Sequence, residues 1–321
     1  MPSAATRHKI LDEVRSIVPP LSEKMHKGQA GRVGVVGGSR DYTGAPFFAS
    51  MSCMRLGADM SHTICEPSAG NVIKTYSPDL IVHRILDENK SHDDIKKEMK
   101  GIFERLHSVI VGPGLGRDKH MQSCGKIAME LARESDIYIV VDADGLWLVQ
   151  NEPDVVKGYT KCILTPNVVE FGRLCKRMGI DSKEANSENA AKQLALALQG
   201  PTILEKGRVD RITNGKEVLI CDEQGGLKRA GGQGDILSGC LGTFLAWASV
   251  YQAGVSAEEN VGARIADDRL PLLAGYGGSI TTRTCSREGF RRKGRAMLAN
   301  DLLEEVGPAY AKLFGEPSAA L

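Results

Sequence analysis

No CxxC pair joins any of the eight cysteines, which stand scattered at positions 53, 65, 124, 162, 175, 221, 240 and 285. Several fall inside apolar segments, as Cys162 and Cys221 do. That is the pattern of buried free thiols in a reducing compartment, not of a disulfide framework or a zinc site. The seven histidines show no ligand spacing such as HxxxH, so lone ones like His62 and His83 read as core or surface residues. Neither sign of charge dominates: 41 Lys and Arg face 40 Asp and Glu, a net of +1. This balance excludes a global field drawing the chain to nucleic acid or to a membrane. The one basic run, at 291–295, reads as solvated helix surface, with contact to an anionic ligand as the alternative. No apolar run reaches membrane-spanning length, and residues 1–20 hold no signal-peptide core. Asp12 and Glu13 argue against a transit peptide, so the expected location is cytoplasmic. Phosphate-loop and kinase motifs are missing too, with no GxxxxGKS/T and no VAIK, HRD or DFG set. The turns GVVGGS (34–39) and GPGLG (112–116) lack the GxGxxG spacing of a dinucleotide fingerprint.

What is present is ordinary globular composition, 42% apolar and 25% charged, on a chain long enough to bury a large core. Apolar runs of strand length are expected at 32–37, 61–65, 80–83, 108–111, 136–141, 162–164 and 201–204. Helices are expected at 10–18, closed by Pro19-Pro20, and at 47–56, 93–105, 119–133 and 189–198. Segments 211–213 and 218–221 flank Asn214-Gly215 and read as a hairpin. Beyond Asp235 the chain turns helical, at 236–251, 258–274, from 277 onward and at 301–313. There is no internal repeat, linker or composition shift. The expected fold is therefore one doubly wound α/β domain over 1–321, with a mostly parallel central sheet and helices on both faces. A leader helix lies within 1–20 and a helical C-terminal part at 255–321.

The chain is organised around AGGQGDILSG, residues 230–239. Small residues entering a long apolar run mark a loop that opens a helix, with Asp235 in the first turn. The first N–H groups of a helix lack intrahelical partners and sit at its electropositive end, so the glycines make an anion cradle. An acid beside bound phosphate is awkward unless it has a task, and the task is proton abstraction from a hydroxyl about to be phosphorylated. The bland reading is a helix cap.

Other strand ends add parts to this. GPGLG places three glycines in five residues, where a tight turn needs one or two, which suggests close approach of a ligand. Asp142 and Asp144 end a strand and read as caps of the next helix, or as metal or substrate ligands. In TPNVVEF, Asn167 and Glu170 share a helical face and are suited to ordering the water shell of Mg²⁺. Lys206, opening KGRVD, is a compact cation for neutralising phosphate. Together these are parts for phosphoryl transfer from a nucleotide to a hydroxyl.

NxxE followed by a GxGD-type anion hole resembles the ribokinase-like superfamily of small-molecule kinases. Within it, HKGQAGRVGVVGGSRDYTGAP, VGPGLGRD, VVDADGL, ILTPNVVEFGRL, EKGRVD, GGQGDILSG and GFRRKGRAM resemble the NAD(P)H-hydrate dehydratases, the ATP-dependent eukaryotic type in particular. The resemblance spans residues 26–297, with Gln233 standing where many relatives carry Thr. It implies loss of water from the 6S hydrate of NADH or NADPH, driven by ATP, with Mg²⁺ as cofactor. By the same resemblance Asp235 is the base. Gly116 and the run Asn167, Val168, Val169, Glu170, Phe171, Gly172 and Arg173 contact the hydrate together with Asp235, and Ala45 is a further candidate. ATP would be held by Lys206, Gly207, Arg208, Val209 and Asp210, then Gly225, Gly226, Leu227, Lys228, Arg229, Ala230, Gly231, Gly232, Gln233 and Gly234. Asn167 and Glu170 would act on Mg²⁺ through water. The implied partners are NADH hydrate, NADPH hydrate and ATP, with no nucleic acid and no membrane, and a possible homo-oligomer. Two alternatives stand beside this: a vitamin or sugar-alcohol kinase of the same fold, and a nucleotide-binding module without catalysis.

Overall fold

Short runs of Val, Ile and Leu, too apolar on both sides to face water, assemble into the central sheet. The computed structural model describes residues 3–21, 23, 25–181, 188–254 and 264–315. Its strands are β1 (Arg32–Val36), β2 (Met60–Ile64), β3 (Ile81–His83), β4 (Ser108–Val111), β5 (Tyr138–Val141), β6 (Cys162–Leu164), β7 (Thr202–Glu205), β8 (Asp210–Thr213) and β9 (Val218–Cys221). They form one sheet in the order β3-β2-β1-β4-β5-β6-β7-β8-β9. β1 to β7 run parallel, and the β8–β9 hairpin is antiparallel, as its Asn-Gly turn predicts. Register matters for function. Val36 pairs with Val111, Val111 with Val141 and Val141 with Leu164. Gly37, Gly112, Asp142 and Thr165 therefore line up along the carboxyl edge, where open α/β sheets keep their ligands.

Strand alternation divides the core in two. Val33, Val35, Ile110, Val140, Ile163 and Leu204 point to one face, against α1 (Ala4–Ser16), α2 (Gly44–Leu56), α3 (Pro67–Tyr76), α9 (Gln233–Gln252), α10 (Leu270–Lys293), α11 (Ala299–Glu304) and α12 (Val306–Phe314). Val36, Val109, Val111, Ile139, Val141, Leu164 and Ile203 point to the other, against α4 (His92–Phe103), α5 (Lys119–Glu134), α6 (Asp144–Asn151), α7 (Val168–Arg177) and α8 (Glu188–Leu198). α9 is apolar all round because it crosses the sheet beneath other helices, and residues 236–248 are all buried. Each fully buried Leu or Phe in it contributes about 1.5–3 kcal/mol. Among the described residues no helix is long and apolar enough to cross a membrane, and the eight cysteines are free and buried.

Three expectations need correction. α3 is an added helix that no expectation covers, because PSAGNVIKTY offers Pro, Gly and polar residues. Its Pro67 sits at the first helical turn, where no N–H is needed, and the Glu66 carboxylate accepts from the Ser68 and Ala69 N–H groups. The leader helix begins at Ala4, not 10, because the Ser3 hydroxyl accepts the Thr6 N–H as its cap. The helix expected at 258–274 starts at Leu270: residues 264–266 are non-helical, a single 3₁₀ turn covers Asp267–Arg269, and Pro271 occupies the first turn. Residues 258–263 of that expectation lie outside the described residues. From Leu270 the chain continues unbroken through Gly275, Gly277 and Gly278. A Cβ at these glycines would come within 2.7 Å of Ile212, 2.9 Å of Phe244 and 2.6 Å of Leu241, so they permit close helix packing.

Candidate active site

The loops after β4 and β5 meet backbone to backbone. Gly112 has φ +127°, and a Cβ there would lie 1.8 Å from the Asp142 carbonyl oxygen. Packing thus explains this glycine of GPGLG without a ligand. The Gly116 N–H donates to Asp144 Oδ2 at 3.0 Å, and the Gly116 carbonyl accepts from Gln122 Nε2 at 2.6 Å. Neither Asp142 nor Asp144 caps α6 in the way the sequence favoured: the N-cap is Ala143, with no side-chain capping bond. The Asp144 carboxylate is drawn to Gly116 and Arg117 instead, and Asp142 turns toward the centre of the site.

There Asp142 Oδ1 accepts from Lys206 Nζ at 2.9 Å and Oδ2 from Ser238 Oγ at 2.6 Å, which brings the ends of β5 and β7 and the second turn of α9 onto one carboxylate. Burial pushes the Asp142 carboxyl up, but the Lys206 charge and hydrogen bonds from Ser238, Lys206 and Thr165 outweigh it and hold it below the ordinary range. Burial pulls Lys206 down, while Asp142, Glu170 and Asp235 together raise it, so the ammonium stays charged.

Asp235 stands beside this pair. The N-cap of α9 is Gly232, at φ +94°, so Asp235 is not the N-cap, and the one backbone group its carboxylate meets is its own N–H. Burial first, and then the like charge of Asp142, raise its carboxyl to about 7, against the opposing pull of Lys206. A carboxylate poised there is a competent base near neutral pH. The glycines in front of it leave the backbone bare. A Cβ on Gly231 would meet nothing within 4 Å, and one on Gly234 would have Asp142 Oδ2 at 3.7 Å and Lys206 Nζ at 3.9 Å as its neighbours. That is a cradle of helix N–H groups facing a lysine.

The cradle opens into a cleft of about 1070 Å³. Its walls are Lys206–Asp210, Asp222–Leu227, Arg229, Ala230, Gln233, Gly234 and Leu237, with Asn167, Val168 and Val169 on one side and Ser279, Thr282 and Arg283 of α10 on the other. Gln233 Oε1 is buried in it without a hydrogen-bond partner, which leaves an acceptor for a bound group. Asp210 is not free to act on a ligand: it accepts from the Gly207 N–H, from Ser279 Oγ at 2.7 Å and from Arg283 Nε at 2.8 Å. Arg283 also donates to the Gly207, Arg208 and Glu223 carbonyls, so one guanidinium on α10 shapes two cleft loops. The Glu223 carboxylate is pinned between Arg287 and Arg7 of α1, which ties the leader helix to the cleft wall.

Of the residues implied for the nucleotide, Lys228, Gly231 and Gly232 do not line the cleft, and Lys228 Nζ donates to the Arg295 carbonyl at 2.7 Å. Of those implied for the second substrate, Phe171 is fully buried in the core beneath α7, while Gly116, Glu170, Gly172, Arg173 and Asp235 itself lie off the cleft. Asn167 and Glu170 form a capping box: Asn167 Oδ1 accepts from the Val169 and Glu170 N–H groups, and Glu170 Oε2 from the Asn167 N–H at 2.8 Å. Burial raises the Glu170 carboxyl. Asp142, Arg283, Ser238 and Glu223 were not singled out for these positions by the sequence. The DADG strand end was the one signal; the others sit inside helices or on a strap with no local motif.

A family model described as NAD(P)H-hydrate dehydratase matches residues 33–307. The ATP-dependent (S)-NAD(P)H-hydrate dehydratase of Mycosarcoma maydis is 60% identical over 324 residues, covering 99% of this chain and 92% of its own length. Among solved structures, a ribokinase-like superfamily protein from Enterococcus faecalis superposes with a TM-score of 0.74 at 18% identity, over 96% of this chain and 95% of that one. The ADP/ATP-dependent NAD(P)H-hydrate dehydratase from Bacillus subtilis, co-crystallized with ATP/Mg²⁺, gives 0.66 at 20% identity, over 94% and 97%. At those identities the structural likeness is one of fold, and the fold is ribokinase-like.

Proposed function

The chain belongs to the NAD(P)H-hydrate dehydratase family, and on that premise we propose that it dehydrates the 6S hydrates of NADH and NADPH with ATP, releasing ADP and inorganic phosphate. The observation that carries the reading is Asp235, a carboxylate raised to about 7 at the mouth of a bare helix N-terminus, beside the Lys206–Asp142 pair and a nucleotide-sized cleft. A ring hydroxyl is a poor leaving group. Asp235 takes its proton as the oxygen bonds to the terminal phosphorus of ATP and the bond to ADP breaks. The ring nitrogen's lone pair then expels phosphate with the C–O bond pair, and loss of the neighbouring ring proton restores the dihydropyridine. Net, one hydrate and one ATP give one reduced nucleotide, ADP, phosphate and a proton. The Gly231–Gly234 N–H groups and Lys206 meet the charge on the transferring phosphoryl group. Gly116 and the Asn167–Arg173 turn face the hydrate, the Phe171 side chain apart. All this chemistry lies in one ribokinase-like domain. Eight reduced, buried cysteines suit the cytoplasm.

Among the described residues no group of three or more His, Cys, Asp or Glu is arranged to hold a metal directly. The donor set fits a hydrated Mg²⁺ instead: Asp142 is committed at both oxygens, whereas Glu170 has one oxygen engaged by the Asn167 N–H and the other without a hydrogen bond among the described residues. Mg²⁺, bound chiefly by ATP and water, would neutralise phosphate charge, with Glu170 and the Asn167 side chain anchoring its water shell.

Two expected results follow from the cradle and the base. Gly234→Ala has room for its methyl and keeps its thermal midpoint, but the methyl obstructs the phosphate and raises KM for ATP by roughly tenfold. An unchanged KM would remove the cradle. The rate also depends on pH. Only the ionised base works, so kcat/KM rises with pH and levels off above about 7. Asp142→Asn deletes the like charge and moves that acid limb to lower pH; a limb that stays in place means another group controls it. The function itself is tested by products: ADP, inorganic phosphate and recovered NADH should form in equal amounts, and a stable phosphate ester would make the chain a kinase instead.

A further inference from the structure

Outside the catalytic centre, one cationic side chain is firmly held while its outer edge is left free. Arg117 directly follows Gly116. Its Nε donates to Asp144 Oδ1 at 3.0 Å, and the other oxygen of the same carboxylate accepts the Gly116 N–H at 3.0 Å. One buried-edge acid therefore fixes both the glycine turn and the direction of the guanidinium. The guanidinium carbon lies 4.6 Å from the centroid of the Trp147 ring, a cation–π contact that holds it from a second side. Among the described residues Nη1 and Nη2 have no hydrogen-bond partner, and the side chain is 54% exposed. Arg117 shares a shallow crevice with Trp147, Gln150, Glu170 and Arg173. Glu170 feels the charge of both Lys206 and Arg173, so the crevice adjoins the Lys206–Asp142–Asp235 centre. Neither Arg117 nor Arg173 lines the nucleotide cleft.

An ordinary surface ion pair lets both partners move. Here the restraint at Nε and at the ring face leaves the two terminal N–H₂ groups presented as a fork, the geometry that matches two oxygens of a phosphate. We propose that Arg117, assisted by Arg173, is a phosphate-reading residue that seats the dinucleotide hydrate, with Asp144 and Trp147 as its positioning residues. This rests on the dehydratase reading, since that substrate carries a diphosphate bridge and, in the NADPH form, one further phosphate. The shared chemistry is a phosphate oxyanion in either position.

Steady-state kinetics of Arg117→Ala and Arg117→Lys on NADH hydrate and NADPH hydrate, at saturating ATP and Mg²⁺, test it. Arg117 is exposed enough for both variants to fold, which an unchanged thermal midpoint verifies. The expected result is a rise in hydrate KM of ~10- to 100-fold in the alanine variant, the loss of a charge-assisted contact, with kcat and the KM for ATP nearly unchanged. Lysine restores only part of it, because a point charge lacks the fork. An equal rise for the two hydrates assigns Arg117 to the diphosphate; a rise confined to NADPH hydrate assigns it to the extra phosphate. Unchanged hydrate KM values in an active enzyme overturn the inference, as does a parallel loss in kcat and in KM for ATP, which marks a merely structural role. A wild-type protein inactive on both hydrates overturns the dehydratase reading, and this inference with it.

Discussion

Asp235→Asn is expected to lower kcat by ~10²–10⁴-fold while leaving the protein folded and able to bind ATP, because the substitution removes a general base and little else. The amide occupies the same space at the third position of α9. No N-cap is lost, since that position belongs to Gly232, and an amide oxygen can still accept from the residue's own N–H. The sign of the stability change separates a catalytic from a structural role. A folded-state carboxyl raised to about 7, from an ordinary value of 3.8, binds its proton more tightly than the unfolded chain does. Its contribution is fully present below the unfolded value and is lost as pH rises through about 7. At pH 8 the ionised Asp235 is therefore a burden on the fold, and the asparagine variant should melt higher than wild type, by about 2 °C for each ~1 kcal/mol relieved. Calorimetry at pH 8 and pH 5 checks this: the gain should shrink at the lower pH. A variant that melts lower at pH 8 would give Asp235 a structural task.

Lys206→Met is expected to be the most damaging change on both counts. It strips the phosphate cradle of its facing cation and leaves Asp142, a buried carboxylate, without its closest positive partner. Breaking one side of a buried pair costs about 3–5 kcal/mol. The Asp142 carboxyl is held below the ordinary range, so its stabilising contribution is present at neutral pH and fades as pH falls through that depressed value. The deficit of Lys206→Met should therefore be full at pH 7 and small in acid. Adding Asp142→Asn removes the stranded charge, so the double variant should recover most of the lost stability but little of the activity. Thermal melts and phosphate release on the two single variants and the double decide it. Recovery of activity in the double variant would show that Lys206 serves only to neutralise Asp142.

Periodicity carried most of the architecture. Alternating buried strands and 3.6-period helices announced the doubly wound, mostly parallel sheet, and the Asn214-Gly215 turn gave the antiparallel edge, because those signals are local; the order of the strands across the sheet comes from the structure. The misses were local signals pointing elsewhere: Pro67 opens a helix that its composition disguises, and Gly275, Gly277 and Gly278 look like breaks but make room for β8 (Gly275) and α9 (Gly277 and Gly278). At the site, the glycine-rich and KGRVD stretches carry their own marks and come together at the cleft. Arg283 and Glu223 carry none. Their meaning lies in contacts made 60 to 216 residues away along the chain, and no pattern around them announces that. Asp142 was visible as an acid at a strand end, but only the register of β5 against its neighbours turns it from a helix cap into the shared partner of Lys206 and Ser238.

The central claim is that a hydroxyl made reactive at Asp235 leaves as phosphate. Its most direct test is the return of reduced-nicotinamide absorbance when the protein meets purified 6S NADH hydrate and Mg²⁺, with and without ATP. Recovery that requires ATP, matches the phosphate released and disappears in Asp235→Asn is the expected result. Hydrate that stays unrepaired with ATP present would contradict the account.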